Sequence, residues 1–219
     1  FKEEVFNKLD WADPIARDAG AVNTIVINEG RLAGYNTDVG GFITALQQAQ
    51  FNNEKSNRVL LMGAGGVARA VLIGLIKLGI TDVTIANRNL PRASTLAELA
   101  KSRNVTVEST TLDYESLSMA HGALGWDLII NATSVGMKHS PTSDKLVLDS
   151  RLIAPKALAF DLVYNPPVTP FLEAATKAGA RTLNGISMLM FQGAESLTLW
   201  TRRIAPLDVM LRAAQKALS

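Results

Sequence analysis

The most constraining feature of the sequence is a glycine-rich turn between an apolar strand and an apolar helix. Residues 58–92 read RVLLMGAGGVARAVLIGLIKLGITDVTIANRNLPR. Gly63 suits the tight turn, Gly65 lets the backbone approach a pyrophosphate, and Ala68 is small enough for close helix–strand packing. The pattern predicts a dinucleotide-binding unit in which the pyrophosphate lies on the helix N-terminus. The less specific alternative is a glycine-rich turn that binds nothing.

The second strand of this unit ends in residues that favour a phosphorylated nucleotide. NAD-binding units usually carry Asp or Glu there, about 20 residues beyond the glycines, to bind the ribose 2′-hydroxyl. This chain instead has Asn87, Arg88 and Asn89, followed by Arg92, and no carboxylate. Guanidinium groups suit a 2′-phosphate, so the pattern favours NADP over NAD.

Strand-like and helix-like segments alternate through the rest of this region. The strands are expected at about residues 58–63, 82–87, 104–108, 127–131 and 157–163, with a sixth at 180–183. Such alternation is typical of a parallel sheet covered by helices on both faces. The predicted fold class is α/β, with a Rossmann-like doubly wound parallel sheet. Ligands bind such sheets at the carboxyl ends of the strands, where this chain is polar or glycine-rich.

A shorter region precedes this sheet, and two helices follow it. Thr37 or Asp38 is expected to cap a helix that reaches about Gln50. The polar residues 51–57 are predicted to link two domains. Closing helices are expected at about 186–202 and 206–218, and we expect them to pack back on the first region.

Composition favours small-molecule chemistry. Of the 219 residues, 47% are hydrophobic and 19% are charged, and 22 basic residues nearly balance 20 acidic ones. No basic tract indicates nucleic acid or a membrane as partner, and the absence of Cys excludes a thiolate metal site or nucleophile. His121 and His139 lack metal-ligand spacing, so no metal is expected. No apolar run reaches the roughly 18 residues of a membrane span, and we expect a cytoplasmic monomer or homodimer.

Several separate motifs resemble those of the shikimate dehydrogenase family, including the quinate/shikimate dehydrogenases, and they occur in the same order. They are FKEE at 1–4, GAVNT at 20–24, YNTD at 35–38, GAGG at 63–66, NR at 87–88, NATS at 131–134, Tyr164, NG at 184–185 and QGAE at 192–195. The resemblance extends over essentially the whole chain. It implies reversible reduction of 3-dehydroshikimate to shikimate with NADPH, a step in chorismate and aromatic amino acid biosynthesis.

The resemblance also implies how the chain divides. Residues 1–57 would be part of an α/β substrate-binding domain, residues 58–185 the NADP-binding Rossmann domain, and residues 186–219 helices that complete the substrate-binding domain. Family members carry a Ser-x-Ser pair and an Asn-x-Thr that bind the substrate, both upstream of the motif that corresponds to FKEE at 1–4. This chain starts after both. We therefore expect an incomplete substrate-binding domain with exposed apolar surface.

Carried onto this sequence, the family's catalytic pair is Lys2 and Asp38. Reduction of a ring carbonyl needs a positioned acid beside the oxygen, and a lysine held by a carboxylate can supply that proton. The resemblance assigns Asn23 and Gln192 to the substrate hydroxyls and Tyr164 to its carboxylate side. Without the resemblance, a lysine near a chain start is usually a solvated surface residue, and an aspartate before a helix is usually a cap.

The glycine-rich unit and the resemblance together imply a set of cofactor-binding residues. They are Gly63, Ala64, Gly65, Gly66, Val67, Asn87, Arg88, Arg92, Thr133, Ser134, Gly185 and Met188. In this set Gly185 lets the nicotinamide approach the backbone and Met188 packs beside it. Asn89 replaces the threonine that commonly follows the Asn-Arg pair. The alternatives are a quinate/shikimate dehydrogenase that uses NAD or both cofactors, and a nucleotide-binding module without catalysis.

Overall fold

A parallel sheet dominates the structure, which is a computed structural model. It describes residues 2–52, 57–101, 103 and 105–218, without the side chains of residues 2 and 3. The elements of the first region are α1 (Lys2–Phe6), β1 (Trp11–Ala12), α2 (Pro14–Ala19), β2 (Thr24–Asn28), β3 (Arg31–Tyr35) and α3 (Thr37–Gln48). The sheet region contains β4 (Arg58–Met62), α4 (Gly66–Lys77), β5 (Asp82–Asn87), α5 (Leu90–Ala97), β6 (Thr106–Thr111), α6 (Tyr114–His121), β7 (Leu128–Asn131), β8 (Leu158–Asp161), α7 (Pro170–Lys177) and β9 (Arg181–Leu183). Two further helices follow, α8 (Ile186–Thr201) and α9 (Leu207–Leu218).

The larger sheet has the strand order of a dinucleotide-binding fold. Within the described residues its order is β6-β5-β4-β7-β8-β9, with every pair parallel. This order reverses between β4 and β7, so the carboxyl ends of these two strands flank a crevice. Alternate residues of β4 face opposite sides, with Val59 and Leu61 in one hydrophobic cluster and Leu60 and Met62 in the other. The predicted α/β class and doubly wound sheet are confirmed.

The strand positions were predicted closely, with one shift. β6 covers Thr106–Thr111 rather than about 104–108. Its sequence TVESTT has half-buried or exposed side chains because it is an edge strand, so it lacks the apolar run that marks β4 or β7. The domain boundaries predicted at residues 57 and 185 stay predictions.

The first region contains a small second sheet, which has the order β1-β3-β2 in the described chain. β2 and β3 are antiparallel and joined by Glu29 and Gly30, whose φ angles of 49° and 77° suit a two-residue hairpin loop. The start of β2 lies beside the start of α3, since Asn23 receives a hydrogen bond from the Thr37 amide at 2.9 Å. This hairpin therefore brings the GAVNT and YNTD motifs together.

The N-cap of α3 corrects the sequence prediction. Asn36, not Thr37 or Asp38, is the last residue with extended backbone, and its side chain accepts a hydrogen bond from the Val39 amide at 3.4 Å. Thr37 and Asp38 lie in the first turn, where their side chains make contacts outside their own helix. Asn and Asp are similarly good caps, and the sequence YNTD offers both.

Helix α3 packs between α4 and α8 at two glycines. A Cβ at Gly41 would lie 2.9 Å from the backbone nitrogen of Gln192, and one at Gly74 would lie 2.6 Å from Cδ1 of Phe42. The Phe42 ring stacks on Phe160 of β8, with centroids 5.7 Å apart and planes 6° apart. These close approaches place the first turn of α3 opposite the carboxyl edge of the large sheet.

Exposed apolar side chains occur in the first region, near the end of α8 and in the segment after it. Ile27 is 71% exposed, Trp200 is 58% exposed and Ile204 is 95% exposed. Among the described residues, no helix has the length and hydropathy to cross a membrane.

The Gly74 contact makes a testable prediction about stability. Alanine normally stabilises a helix interior by about 1 kcal/mol relative to glycine. At Gly74 the added methyl would press on the buried Phe42 ring, and overpacking of this kind costs about 1–3 kcal/mol. Gly74→Ala should therefore lower the free energy of unfolding by up to about 2 kcal/mol in denaturant titration.

Gly193→Ala is the matched control, because the nearest atom to a Cβ there is Cε of Met210 at 3.6 Å, an ordinary contact. This variant should be as stable as wild type or more stable. Equal stabilisation by both substitutions would contradict the tight packing of α3 on α4.

Candidate active site

Adjoining cavities form one groove along the carboxyl edge of the large sheet. The first, of about 470 Å³, is lined by residues that include Gly63, Gly65, Arg88 and Arg92. The second, of about 340 Å³, shares Ala132, Thr133 and Ser134 with the first. The third, of about 240 Å³, shares Val67, Leu162 and Tyr164 with the second. The groove therefore runs from the two arginines to the first turn of α3.

The glycine-rich turn forms the floor of the first cavity. Gly63 has a φ of +107°, and a Cβ there would lie 2.8 Å from the Ala132 carbonyl oxygen, so a side chain is excluded. A Cβ at Gly65 would meet nothing within 4 Å, so its backbone is open to the cavity. Gly65 caps α4 without a side-chain hydrogen bond, which leaves the first amides of Gly66 and Val67 available for an anion.

Two cations stand at the far end of the first cavity. The side chains of Arg88 and Arg92 are exposed and line it, and neither forms an ion pair with the described residues. Asn89 has a structural task, since it caps α5 by accepting a hydrogen bond from the Arg92 amide at 3.1 Å. Asn87 donates to the Asn89 carbonyl at 2.9 Å. The turn therefore holds both arginines at the mouth of the cavity, where a phosphate would pair with them.

A buried hydrogen-bond network lies behind the middle of the groove. Asp161, at the end of β8, accepts hydrogen bonds from Asn131 at 3.0 Å, the Val163 amide at 2.9 Å and the Thr169 hydroxyl at 2.5 Å. Asn131 in turn accepts from the Thr133 hydroxyl at 2.7 Å. All of Asn131, Asp161 and Thr169 are 0% exposed. The network fixes the loops after β7 and β8, which carry Thr133 and Tyr164 into the groove.

The sequence did not reveal Asp161 and Thr169 as the residues that fix the loops after β7 and β8. Burial raises the pKa of Asp161 to about 6, against the opposite effect of hydrogen bonds from Thr169, Val163 and Asn131. Removal from water disfavours the charged carboxylate more than these donors favour it. A signal was present in the sequence, because an aspartate directly after the apolar run ALAF has to find buried partners.

The raised pKa of Asp161 predicts a pH dependence of stability. The folded pKa of about 6 lies above the ordinary aspartate pKa of 3.8, so the folded state holds the proton more tightly. The stabilisation is complete below about pH 4 and is lost as the pH rises through about 6. Asp161→Asn removes this dependence.

Between about pH 4 and pH 7, wild type should lose up to about 3 kcal/mol of unfolding free energy relative to Asp161→Asn. Denaturant titrations of both proteins across this range measure the difference. Asp144→Asn, at an exposed carboxylate, is the control and should follow wild type. Parallel pH profiles for wild type and Asp161→Asn would contradict the assignment.

The third cavity brings together polar residues from distant parts of the chain. Its lining includes Asn23 before β2, Asp38 in α3, Tyr164 after β8 and Gln192 in α8. The Asn23 amide nitrogen lies 2.8 Å from Oδ1 of Asp38 and 3.4 Å from Oε1 of Gln192. Asp38 is 7% exposed, whereas Tyr164 is 42% exposed. The cavity therefore offers amide, carboxylate and phenol groups to a small polar molecule.

Gly185 and Met188 form the apolar side of the third cavity. A Cβ at Gly185 would overlap the Leu162 carbonyl, so only glycine fits between α8 and the end of β8. The Gly185 amide donates to the Val163 carbonyl at 3.2 Å. Met188 is 5% exposed and belongs to the main hydrophobic cluster. A flat ring could lie on this surface between the polar residues and the glycine-rich turn.

Two further charged residues, Lys2 and Glu195, are relevant to this end of the groove. Lys2 begins α1, but its side chain lies outside the described part of the chain, so its predicted role stays a prediction. Glu195 of α8 faces Gly40 of α3, where a Cβ would be 2.5 Å from Oε2 of Glu195. Burial, and to a smaller extent the Asp13 carboxylate, raises the pKa of Glu195.

Comparisons with known proteins agree with this geometry. The family profile described as Shikimate / quinate 5-dehydrogenase matches residues 45–175. The chain is 39% identical over 224 aligned residues to the shikimate dehydrogenase (NADP(+)) of Desulforamulus reducens, covering 100% of this chain and 74% of that one. Among solved structures, a shikimate dehydrogenase in complex with NADP+ has a TM-score of 0.87 at 35% identity, covering 100% of this chain and 74% of that chain. The shikimate 5-dehydrogenase of Thermus thermophilus, in complex with NADP(H) and shikimate, has a TM-score of 0.82 at 36% identity, covering 99% of this chain and 76% of that chain.

Proposed function

Because the chain belongs to the shikimate/quinate 5-dehydrogenase family, we propose that it catalyses the reversible reduction of 3-dehydroshikimate to shikimate with NADPH. The observation that carries the proposal is the continuous groove from Arg88 and Arg92 to Asn23 and Asp38. One end of it is cationic and suits a phosphate, and the other is lined by amides and a carboxylate that suit a polyhydroxylated ring. Such a reaction belongs to chorismate and aromatic amino acid biosynthesis.

The residues of the groove fit a phosphorylated dinucleotide. The open backbone at Gly65 and the uncapped start of α4 suit the pyrophosphate, and Arg88 and Arg92 suit the 2′-phosphate. Gly185 and Met188 line the apolar side of the third cavity at the other end, where the nicotinamide ring would lie. When bound, NADPH supplies the hydride that reduces the ring carbonyl.

The third cavity would hold the substrate by hydrogen bonds. Asn23 and Gln192 would bind its hydroxyls, and the exposed Tyr164 hydroxyl would face its carboxylate. A site lined by such polar groups selects for the hydroxyl pattern, because a substrate without a matching hydroxyl cannot make these hydrogen bonds. These roles support a small, polyhydroxylated carboxylate as the substrate class.

Proton transfer is assigned to Lys2 and Asp38. In the reductive direction, Lys2 donates a proton to the oxygen that develops negative charge, and in the oxidative direction it accepts that proton. Asp38 would hold the lysine ammonium beside this oxygen. The Asn23 amide supports Asp38 in the described structure, since it donates to the carboxylate at 2.8 Å.

Loss of the lysine should affect turnover far more than cofactor binding. Lys2→Ala should lower kcat by roughly 10²–10⁴-fold, the usual effect of removing a positioned acid or base. Asp38→Asn should lower it similarly. Steady-state oxidation of shikimate measures kcat, and calorimetry with NADP+ measures cofactor affinity.

Lys8→Ala is the matched control, because Lys8 is an exposed lysine just after α1. It should keep wild-type turnover. Near-normal turnover of Lys2→Ala would remove this lysine from the mechanism, whereas wild-type protein that binds NADP+ but turns over no shikimate would contradict the proposed function itself.

Cofactor preference follows from the two arginines. A charge-assisted hydrogen bond to phosphate contributes about 1.5–3 kcal/mol, so loss of one should weaken NADPH by roughly 10- to 100-fold. Arg88→Asp should lower the ratio of kcat/KM for NADPH over NADH further, because the new carboxylate repels the 2′-phosphate and accepts a bond from a ribose hydroxyl.

The ratio should be measured at fixed ionic strength, since salt screens the contrast. Arg212→Asp in α9 makes the same change of charge at an exposed site away from the groove and should leave the ratio unchanged. A wild-type preference for NADH, or a ratio that Arg88→Asp does not move, would favour a quinate/shikimate dehydrogenase that uses NAD.

A further inference from the structure

Four polar side chains behind the third cavity form a closed ring of hydrogen bonds. The Asn23 amide nitrogen lies 2.9 Å from the Thr37 hydroxyl, which lies 3.0 Å from the Ser196 hydroxyl. Ser196 lies 2.6 Å from the Thr24 hydroxyl, which lies 3.2 Å from the Asn23 amide oxygen. Thr24, Thr37 and Ser196 are at most 5% exposed. The ring thus joins β2, α3 and α8.

The hydroxyl protons allow one direction around this ring. Each hydroxyl has one proton, and the Asn23 nitrogen can only donate. The bonds therefore run from Asn23 to Thr37, then to Ser196, then to Thr24, and return to the Asn23 oxygen. Two bonds compete with the ring, because the Ser196 hydroxyl lies 3.0 Å from the Gln192 carbonyl and the Thr37 hydroxyl lies 3.5 Å from Oε1 of Gln192. The shorter separations within the ring, 2.6 Å from Ser196 to Thr24 and 3.0 Å from Thr37 to Ser196, favour the ring. Bonds that follow one direction polarise and strengthen one another.

This direction determines how the Asn23 amide is turned. Its oxygen accepts from the Thr37 backbone amide at 2.9 Å and from Thr24, and its second N–H points at Oδ1 of Asp38 at 2.8 Å. A flipped amide would place its oxygen against the Asp38 carboxylate and its N–H groups against the Thr37 amide. Both contacts would be repulsive, so the Asp38 carboxylate and the Thr37 backbone amide favour the same orientation of Asn23 as the ring does.

We propose that Ser196, together with Thr24, is a positioning residue for the reaction. Neither side chain lines the third cavity, and both act through the Asn23 amide, whose orientation they support through the bond from Thr24 to its oxygen. Ser196 also lies one helical turn after Gln192 in α8, so its contact with Thr24 anchors the part of the helix that carries Gln192. This inference rests on the proposed function, because it assumes that Asn23 and Asp38 face the substrate.

Removal of the ring hydroxyls should change substrate use and leave the cofactor unaffected. Ser196→Ala should lower kcat/KM for shikimate by roughly 3- to 10-fold, the usual scale for a lost hydrogen bond, with an unchanged Kd for NADP+. Thr24→Val keeps the shape of the side chain without the hydroxyl and should behave alike. Ser196→Thr and Thr24→Ser keep a hydroxyl and should retain most of the activity.

Thr198→Ala is the matched control on the same helix. The Thr198 hydroxyl donates to the Ala194 carbonyl at 2.9 Å, as Ser196 can to Gln192, but it is exposed and outside the ring. This variant should keep wild-type kinetics. The decisive measurement is a double-mutant cycle, because Ser196→Ala should have almost no further effect in an Asn23→Ala background if it acts through that amide.

A readout without turnover separates this inference from the proposed function. In nitrogen-15-labelled protein, the side-chain amide signals of Asn23 should shift in Ser196→Ala and Thr24→Val and stay unchanged in Thr198→Ala. Wild-type kcat/KM in a folded Ser196→Ala protein, an undiminished loss in the Asn23→Ala background, or unmoved Asn23 signals would each overturn the positioning role. Failure of wild type to oxidise shikimate would instead contradict the substrate, and the Asn23 signals would still test the ring.

Discussion

The close packing of α3 between α4 and α8 is the contact on which the site depends. Glycine at positions 41 and 74 lets backbones and the Phe42 ring approach to distances that a Cβ would obstruct. As a result, the first turn of α3 stands opposite the glycine-rich turn that starts α4. Asp38 and the uncapped amides at the start of α4 thus face one groove, although they belong to regions built around different sheets.

Buried polar groups then determine which loop and side-chain orientations are possible in that groove. Asp161 joins the ends of β7 and β8, and the ring through Ser196 joins β2, α3 and α8. A buried polar group without a partner costs more than a hydrogen bond returns, so each network favours a single arrangement. Their importance lies in this specificity, because Asp161 itself is penalised by its burial and has a raised pKa.

The two ends of the groove differ in the kind of interaction that they offer to a ligand. Arg88 and Arg92 are exposed cations. Their attraction for a phosphate acts over a longer distance than a hydrogen bond but is weakened by salt. The other end offers directional hydrogen bonds, since each amide or carboxylate bond requires a matching group. These groups belong to Asn23, Gln192 and Asp38, which are less exposed than the arginines. Membership of the shikimate/quinate 5-dehydrogenase family agrees with this arrangement of a charged cofactor end and a polar substrate end.

The sequence by itself determined the Rossmann-like sheet, the nucleotide turn and the preference for a 2′-phosphate, because these depend on local periodicity and on residues within one strand–turn–helix unit. It misplaced the cap of α3 by one or two residues, since neighbouring Asn, Thr and Asp are all acceptable caps and only backbone geometry distinguishes them. Tertiary structure alone decided the ring, because Thr24 and Ser196 are 172 residues apart and isolated hydroxyls carry no sequence pattern. It also decided the burial of Asp161, whose partners are Asn131 at the end of β7 and Thr169 at the N-cap of α7, which meet only when the sheet has formed.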